Sequence, residues 1–396
     1  MIIKRSIINT LYKDFSVKES TILVGPRQVG KTFLLRQLEY KARTDSKKTA
    51  FFDLEQPADL AHFNQSEAEI IHMLSHAGKI IFIDEFHYLK NASKIFKAIY
   101  DSNVPIKIFA SGSSALEIHT HLKESLVGRK LLYHILPCGF EELESLKLGK
   151  TFEYLCIYGG MPGIVQQETP DRKKQLLVDI LQSYLLKDIK SLIREENLRA
   201  FNHLLYLLAQ SQGSVVSIDS LARDVGMSPH TINSYLDILA QTYVNFPVAS
   251  YSQNLGNELR KSKKFYLYDL GVRNALLKNF ASFESRKDKG ILAETFVFHE
   301  LQKKLSPETQ IRFWRLKSGE EVDFLWIKNQ IPYPIEVKTS WNHQSIPKGL
   351  QSFLRRYPDT QEAFVITNQS KKTIKLNHTN IHFLPFSETR KIMEII

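Results

Sequence analysis

The sequence predicts an α/β chain in several parts: a parallel sheet with helices on both faces, then a helical and winged-helix region, then a second α/β domain. Three observations carry this. Over the first third, apolar runs of strand type alternate with helical patterns, the signature of a covered parallel sheet. A helix-turn-helix pattern follows at 217–239, and the last third returns to strands, one of them ending in Glu-x-Lys.

A chain of 396 residues exceeds one ordinary domain and suggests two or three. The motifs and element patterns place the expected boundaries at 1–150, 151–212, 213–255 and 256–396. With 43% hydrophobic and 24% charged residues the chain can bury a core. Its net charge of +11 points to a polyanionic partner, with a merely basic surface as the alternative. Two cysteines, Cys138 and Cys156, give neither a disulfide framework nor a zinc pattern and fit a reducing cytoplasm. The amino terminus lacks the apolar core of a signal peptide, and no apolar run reaches the roughly 18 residues of a membrane span. A cytoplasmic protein without a membrane partner is expected.

The first strand, Thr21–Val24, leads into Gly25-Pro26-Arg27-Gln28-Val29-Gly30-Lys31-Thr32, and a helix opens at Phe33. Gly25 and Gly30 bound a turn whose backbone N–H groups can curl around a polyphosphate, and the next helix adds its positive end. This is the phosphate-loop pattern of a nucleotide site, formed by Gly25 to Phe33. Lys31 reaches the β- and γ-phosphates, and the Thr32 hydroxyl ligates Mg²⁺.

A second strand is expected at Thr49–Leu54 and an amphipathic helix at Glu67–His76. Lys79–Ile83 then reads as a buried strand that delivers Asp84 and Glu85 at its carboxyl end. Asp84 would hold Mg²⁺ while Glu85 polarises the attacking water, since a carboxylate engaged with the metal cannot also serve as base. The strand Ile106–Ala110 ends in Ser111-Gly112-Ser113-Ser114. Ser111 or Ser113 is the expected γ-phosphate or water sensor, and Ser114 is either a sensor or the N-cap of a helix from Ala115. Arg129, after Gly128 and before the strand Leu131–Leu136, could reach a γ-phosphate of its own or a neighbouring subunit, or could be a solvated surface residue.

These motifs, with Pro137-Cys138-Gly139-Phe140-Glu141-Glu142, resemble the amino-terminal module of a large prokaryotic AAA-type ATPase family. Its members carry a carboxy-terminal domain long labelled as of unknown function. Later stretches extend the resemblance: Tyr158–Pro162, Tyr184–Ile189, Phe265–Gly271 and Ile335–Lys338. Members often carry Arg where this chain has Lys187. The resemblance covers nearly the whole chain and implies ATP hydrolysis, whereas its later motifs mark the family more than a reaction.

The middle, Thr151 to about Gln212, reads as largely helical and is broken by a turn at Gly159–Gly163. It is either the lid of the ATPase or a packing element. Ser217–Val225 makes a short helix, Gly226-Met227-Ser228 a turn, and Pro229–Leu239 a second helix with Ser228 as N-cap. Tyr243–Tyr251 would form a wing. His230, Thr231, Asn233 and Ser234 would face a DNA groove, over a core of Leu221, Ile232, Leu236 and Leu239. The alternative is a module used only for packing or protein contact.

In the last third, an amphipathic helix from Gly290 to Leu301 carries Glu294. Strands follow at Ile311–Arg315, Glu320–Ile327 and Pro334–Lys338. Asp323, then Glu336-x-Lys338 on the next strand, with Glu294 upstream, resembles the restriction-endonuclease-like superfamily. Glu336 and Lys338 alternate onto one face past Val337. Glu294, Asp323 and Glu336 are the expected metal ligands, with Lys338 positioning the water. The alternative is an ion-pair cluster without catalysis. Nearby, Lys348, Arg355 and Arg356 add basic character.

The expected function is a Mg²⁺-dependent ATPase that acts on DNA by remodelling or translocating it, working as a homo-oligomer such as a ring. Two rivals remain: a DNA nuclease with a regulatory ATPase module, and a non-enzymatic ATP-controlled partner switch.

Overall fold

A computed structural model describes residues 3–89, 91–102, 104–113, 126–182, 193, 197–252, 263–341, 345–369 and 371–396. The expectations for Ser114 and for the whole of Tyr184–Ile189, with Lys187, lie outside the described residues. The chain divides into two units, 1–138 with 237–244, and 139–236 with 245–396.

The first unit is built on five strands: β1 (Ser20–Gly25), β2 (Thr49–Asp53), β3 (Ile80–Asp84), β4 (Lys107–Ser113) and β5 (Lys130–His134). They form one sheet in the order β2-β3-β4-β1-β5, with every neighbouring pair parallel. Strands β1 and β3 are buried along their whole length, as their unbroken apolar runs require. The helix Lys31–Thr44 follows β1 and buries Leu34, Leu35, Leu38 and Ala42. The helix Glu67–Ala77 starts at a capping box, in which Ser66 and Glu69 satisfy each other's backbone N–H. This is the P-loop nucleoside triphosphatase fold. Because β4 runs on to Ser113, the serines expected just beyond that strand lie within it.

The second unit begins with the helices Phe140–Glu144, Thr151–Tyr158, Pro162–Val165 and Pro170–Ile180. The helix Leu198–Gln210 precedes β6 (Val215–Val216) and the helix Ile218–Val225, which closes on Gly226 in the left-handed conformation. The helix Pro229–Gln241 then starts at Ser228, whose Oγ accepts the Thr231 N–H at 3.1 Å. β7 (Asn245–Val248) and β8 (Lys263–Leu267) complete a three-stranded antiparallel sheet in the order β6-β8-β7. Strand β8 therefore pairs with elements on the other side of the boundary expected at residue 255. The expected wing at Tyr243–Tyr251 supplies only one of its strands.

The helix Lys289–Gln302 leads to β9 (Thr309–Arg315), β10 (Glu321–Lys328), β11 (Ile331–Val337), the helix Lys348–Arg356, β12 (Glu362–Thr367), β13 (Lys372–Leu376) and β14 (Thr379–Pro385). The six strands form a mixed sheet in the order β13-β14-β12-β11-β10-β9. β9, β10 and β11 are an antiparallel meander, and β12 lies parallel to both β11 and β14. One face packs Trp314, Val322, Leu325, Val365 and Phe383 against Leu350 and Phe353 of the helix Lys348–Arg356. Among the described residues no helix is long and apolar enough to cross a membrane.

Candidate functional site

The carboxyl edge of the first sheet gathers most of the expected nucleotide-site residues. Gly25 ends β1 at φ +149°, and a Cβ there would stand 2.2 Å from the Ile135 carbonyl oxygen. Only glycine lets the chain turn out of the strand at this point. Gly30 (φ +94°) closes the loop in the left-handed region and hands over to the helix Lys31–Thr44. The Lys31 side chain lies inside the loop, donating to the carbonyls of Gly25 at 3.0 Å and Pro26 at 2.8 Å. Burial lowers its pKa to about 8, against the opposing pull of Glu85 and Asp84. Val29 is buried, Arg27 and Gly30 are half-buried, and Gln28, Thr32 and Phe33 are exposed.

Asp84 ends β3 and is 2% exposed. Burial raises its pKa, and hydrogen bonds from Ser111 and Thr32 work the other way. A threonine hydroxyl beside a buried carboxylate is a hard-oxygen pair of the kind Mg²⁺ takes together with phosphate oxygens and water, so these residues fit the ion. Glu85 follows at φ +50°, a left-handed conformation that a non-glycine residue adopts rarely and often at functional positions. Its carboxylate pairs with His87 Nδ1 at 3.1 Å. Ser113 stands in register with Gly25 across the β1–β4 pair, beside the loop, whereas Ser111 is spent on Asp84.

Arg129 stands at the other end of the sheet. Its carbonyl accepts the Ser20 N–H, which fixes Arg129 beside the start of β1 rather than its end. Five strand steps, roughly 16 Å, separate that point from Gly25. The guanidinium there pairs with Asp101 at 2.9 Å. It does not reach its own chain's loop.

Sequence reasoning missed Arg5. The residue is 6% exposed, and its guanidinium donates to the carbonyls of Val29 at 2.7 Å and Leu136 at 2.6 Å. It braces the phosphate loop from the amino terminus. No local pattern announces a cation whose acceptors lie 24 and 131 residues away.

Across the turn of the helix pair, His230, Asn233 and Ser234 are exposed and Thr231 is half-buried, while Leu221, Ile232, Leu236 and Leu239 are buried. These are the environments expected of a surface face and a core face.

In the second unit, Glu294, Asp323, Glu336 and Lys338 come into one another's electrostatic range. Lys338 Nζ pairs with Glu336 Oε1 at 2.7 Å, and Asp323 Oδ2 accepts the Val337 N–H at 2.8 Å. Burial raises the pKa of Glu294 to about 7 and of Glu336 to about 8. Two further groups, Lys264 and Tyr266 of β8, reach Glu294, and nothing in the expectations anticipated them. The signal was present, because residues two apart on a strand share a face. Among the described residues no three His, Cys, Asp or Glu side chains are grouped as a metal site.

A phosphate loop after β1 and an acid pair after β3, on a parallel sheet in the order β2-β3-β4-β1-β5, define a P-loop ATPase module. Residues 17–144 match the model of the AAA domain, residues 149–282 a domain of unknown function (DUF8612) and residues 289–389 a domain of unknown function (DUF4143). The amino-terminal third of the chain thus matches an AAA domain. It is similar to an uncharacterized protein of Mycobacterium tuberculosis, Rv2008c, at 25% identity over 84% of this chain and 73% of the relative. It is also similar to an uncharacterized protein of Methanocaldococcus jannaschii, MJ1544, at 24% identity over 99% of this chain and 90% of the relative. Among solved structures, the replication initiator DnaA bound to AMPPCP and single-stranded DNA matches at a TM-score of 0.33 and 13% identity. That match covers 61% of this chain and 90% of the other. The Pif1 helicase of Candida albicans matches at a TM-score of 0.27 and 15% identity, covering 46% of this chain and 48% of the other.

Proposed function

We propose that the chain is a Mg²⁺-dependent ATP hydrolase that binds DNA and uses hydrolysis to remodel or translocate it as a homo-oligomer. The observation that carries the hydrolase reading is the convergence of Lys31, Thr32, Asp84 and Glu85 at one edge of the sheet. The loop N–H groups and the Lys31 ammonium bind the β- and γ-phosphates. Mg²⁺, when bound, neutralises phosphate oxygens, and Thr32 and Asp84 are the residues that would hold it. Glu85 accepts the proton of the attacking water. Ser113, beside Gly25, is the sensor that this arrangement favours. A role for Arg129 at a γ-phosphate belongs to a neighbouring copy, since its own loop lies at the opposite edge of the sheet.

Three features support a DNA role. The helix Pro229–Gln241 presents His230, Asn233 and Ser234 to solvent, and the strands of a three-stranded sheet flank it in the chain, an element order that suits a winged helix-turn-helix. The chain carries a net charge of +11. At the amino-terminal edge of the first sheet, a cleft of about 730 Å³ is lined by Lys18, Lys47, Lys48, Lys79 and Lys107. ATPase activity measured with duplex, single-stranded and branched DNA tests this reading. DNA stimulation that weakens steeply with salt supports it. Hydrolysis indifferent to every DNA form overturns the DNA role and favours an ATP-controlled partner switch.

The gathering of Glu294, Asp323, Glu336 and Lys338 favours a second reading, a restriction-endonuclease-like domain with the ATPase as its regulator. Mg²⁺-dependent DNA cutting that is lost in Asp323→Ala and Lys338→Ala would establish it.

A further inference from the structure

The stretch Phe265–Gly271, singled out in the sequence, takes no part in the nucleotide site. Its Asp269 is structural: the carboxylate accepts the N–H groups of Gly160 and Val272 and caps the helix Leu270–Leu276. Its first half, with Lys264 just before it, does something else.

Lys264 and Tyr266 emerge on the same face of β8, and both bond Glu294 Oε1. The ammonium is 3.0 Å away and the phenol hydroxyl 2.6 Å. Lys264 Nζ also bonds Glu321 Oε1 at 2.6 Å, and Arg315 holds the other oxygen of Glu321 at 3.3 Å. The Lys264 side chain has no exposed surface, and its ammonium lies 5.3 Å from the centre of the Phe313 ring. Burial alone would lower its pKa. Glu294, Asp323 and Glu321 outweigh burial and hold the group charged, above its ordinary pKa.

An ammonium therefore already stands in the field of Glu294 and Asp323, two of the three carboxylates that a nuclease-like site would present to a metal. The third, Glu336, is 4% exposed, and its Oε2 has no hydrogen-bond partner among the described residues. That oxygen is a buried acceptor with unused capacity, an uncommon and costly arrangement. A divalent ion bound among these oxygens would sit beside both Lys264 and Lys338, in a buried setting where like charges repel strongly.

We propose that Lys264 is the resident cation of this cluster. Its ammonium fills the place in the charge balance that a divalent metal needs. The folded chain accordingly takes no divalent cation among Glu294, Asp323 and Glu336, and neutralising Lys264 creates a divalent-cation site there. The inference stands apart from the ATPase reading and removes the metal step from the nuclease-like one.

The test uses Mn²⁺ without nucleotide on the full chain, read by the paramagnetic resonance of free against bound ion and by the melting temperature. Any Mn²⁺ held at the phosphate loop is common to all variants and cancels. Lys264→Gln removes the charge and keeps a donor, on a side chain one atom shorter. It is expected to bind one additional Mn²⁺ per chain, at least about tenfold tighter than wild type at this site, and to gain melting temperature with added Mn²⁺. The double variant Lys264→Gln/Asp323→Asn should lose that ion. Should Lys264→Gln fold only when Mn²⁺ is present, the cation requirement is shown directly. Three results overturn the proposal: Mn²⁺ binding by wild type that disappears in Glu336→Gln, a folded Lys264→Gln with no additional ion, and a misfolded Lys264→Gln that Mn²⁺ does not restore.

Discussion

Replacing Arg5 with alanine removes two hydrogen bonds from a charged donor, to the carbonyls of Val29 and Leu136. Bonds of this kind contribute about 1.5–3 kcal/mol each. Val29 is fully buried, so its carbonyl is left without a partner, whereas half-buried Leu136 can recover water. The expected loss is therefore about 3 kcal/mol, which lowers the melting temperature by roughly 6–12 °C. Part of that loss falls on the phosphate loop itself, because Val29 lies inside it. If about 1 kcal/mol of loop order is lost, ATP affinity weakens roughly fivefold. Arg5→Lys keeps the charge but reaches one carbonyl at a time, so it should fall between wild type and alanine. Scanning calorimetry and titration with a fluorescent ATP analogue measure the two effects. An Arg5→Ala protein that melts within about 1 °C of wild type and binds ATP equally well refutes the brace.

Asp288 bonds Arg273 at 2.8 Å and Arg286 at 2.6 Å, and both arginine side chains are 1% exposed. Burial would raise its pKa, but the two guanidiniums hold it well below the ordinary carboxylate range. Its stabilisation is complete above about pH 4 and is lost as pH falls. Asp288→Asn should cost about 3–5 kcal/mol at neutral pH and flatten the acid limb of the stability profile, which denaturant titration across pH will show. Gly159→Ala would force a φ of +71° on alanine and set its Cβ 2.1 Å from Asp269 Oδ1, the carboxylate that caps the helix Leu270–Leu276. A loss of about 2–4 kcal/mol is expected by the same titration. The joint substitution of His230 and Asn233 by Glu should lower DNA affinity by about tenfold or more while ATPase activity without DNA stays unchanged, which a filter-binding assay reads.

The first unit was legible because its chemistry is carried by neighbours in the chain. Gly25 to Thr32 is a contiguous loop, and Asp84-Glu85 ends an apolar strand, so covalent order already sets the geometry. Strand and helix placement from β1 to the helix Pro229–Gln241 follows hydrophobic period and capping residues in the same local way. What escaped is convergent. Arg5 finds its acceptors 24 and 131 residues off, and Lys264 finds Glu294 and Glu321 only once three separate elements are packed. The choice left open for Arg129 was illegible for a related reason. Proximity of a Gly-Arg pair to a strand says nothing about which end of the sheet it occupies, and the Ser20 hydrogen bond decides that. The wing was split because its second strand comes after residues 253–262 in the chain and pairs back to β7 and β6.

The central claim is that Lys31, Asp84 and Glu85 form one hydrolytic site. Steady-state phosphate release from ATP and Mg²⁺, measured alongside ATP binding for wild type, Lys31→Ala and Glu85→Gln, tests it most directly. The account predicts turnover by wild type and a fall of about 100-fold or more in both variants. ATP binding should be weakened in Lys31→Ala but retained in Glu85→Gln, because only the lysine holds the ground-state phosphates. Turnover near the wild-type rate in either variant would contradict it.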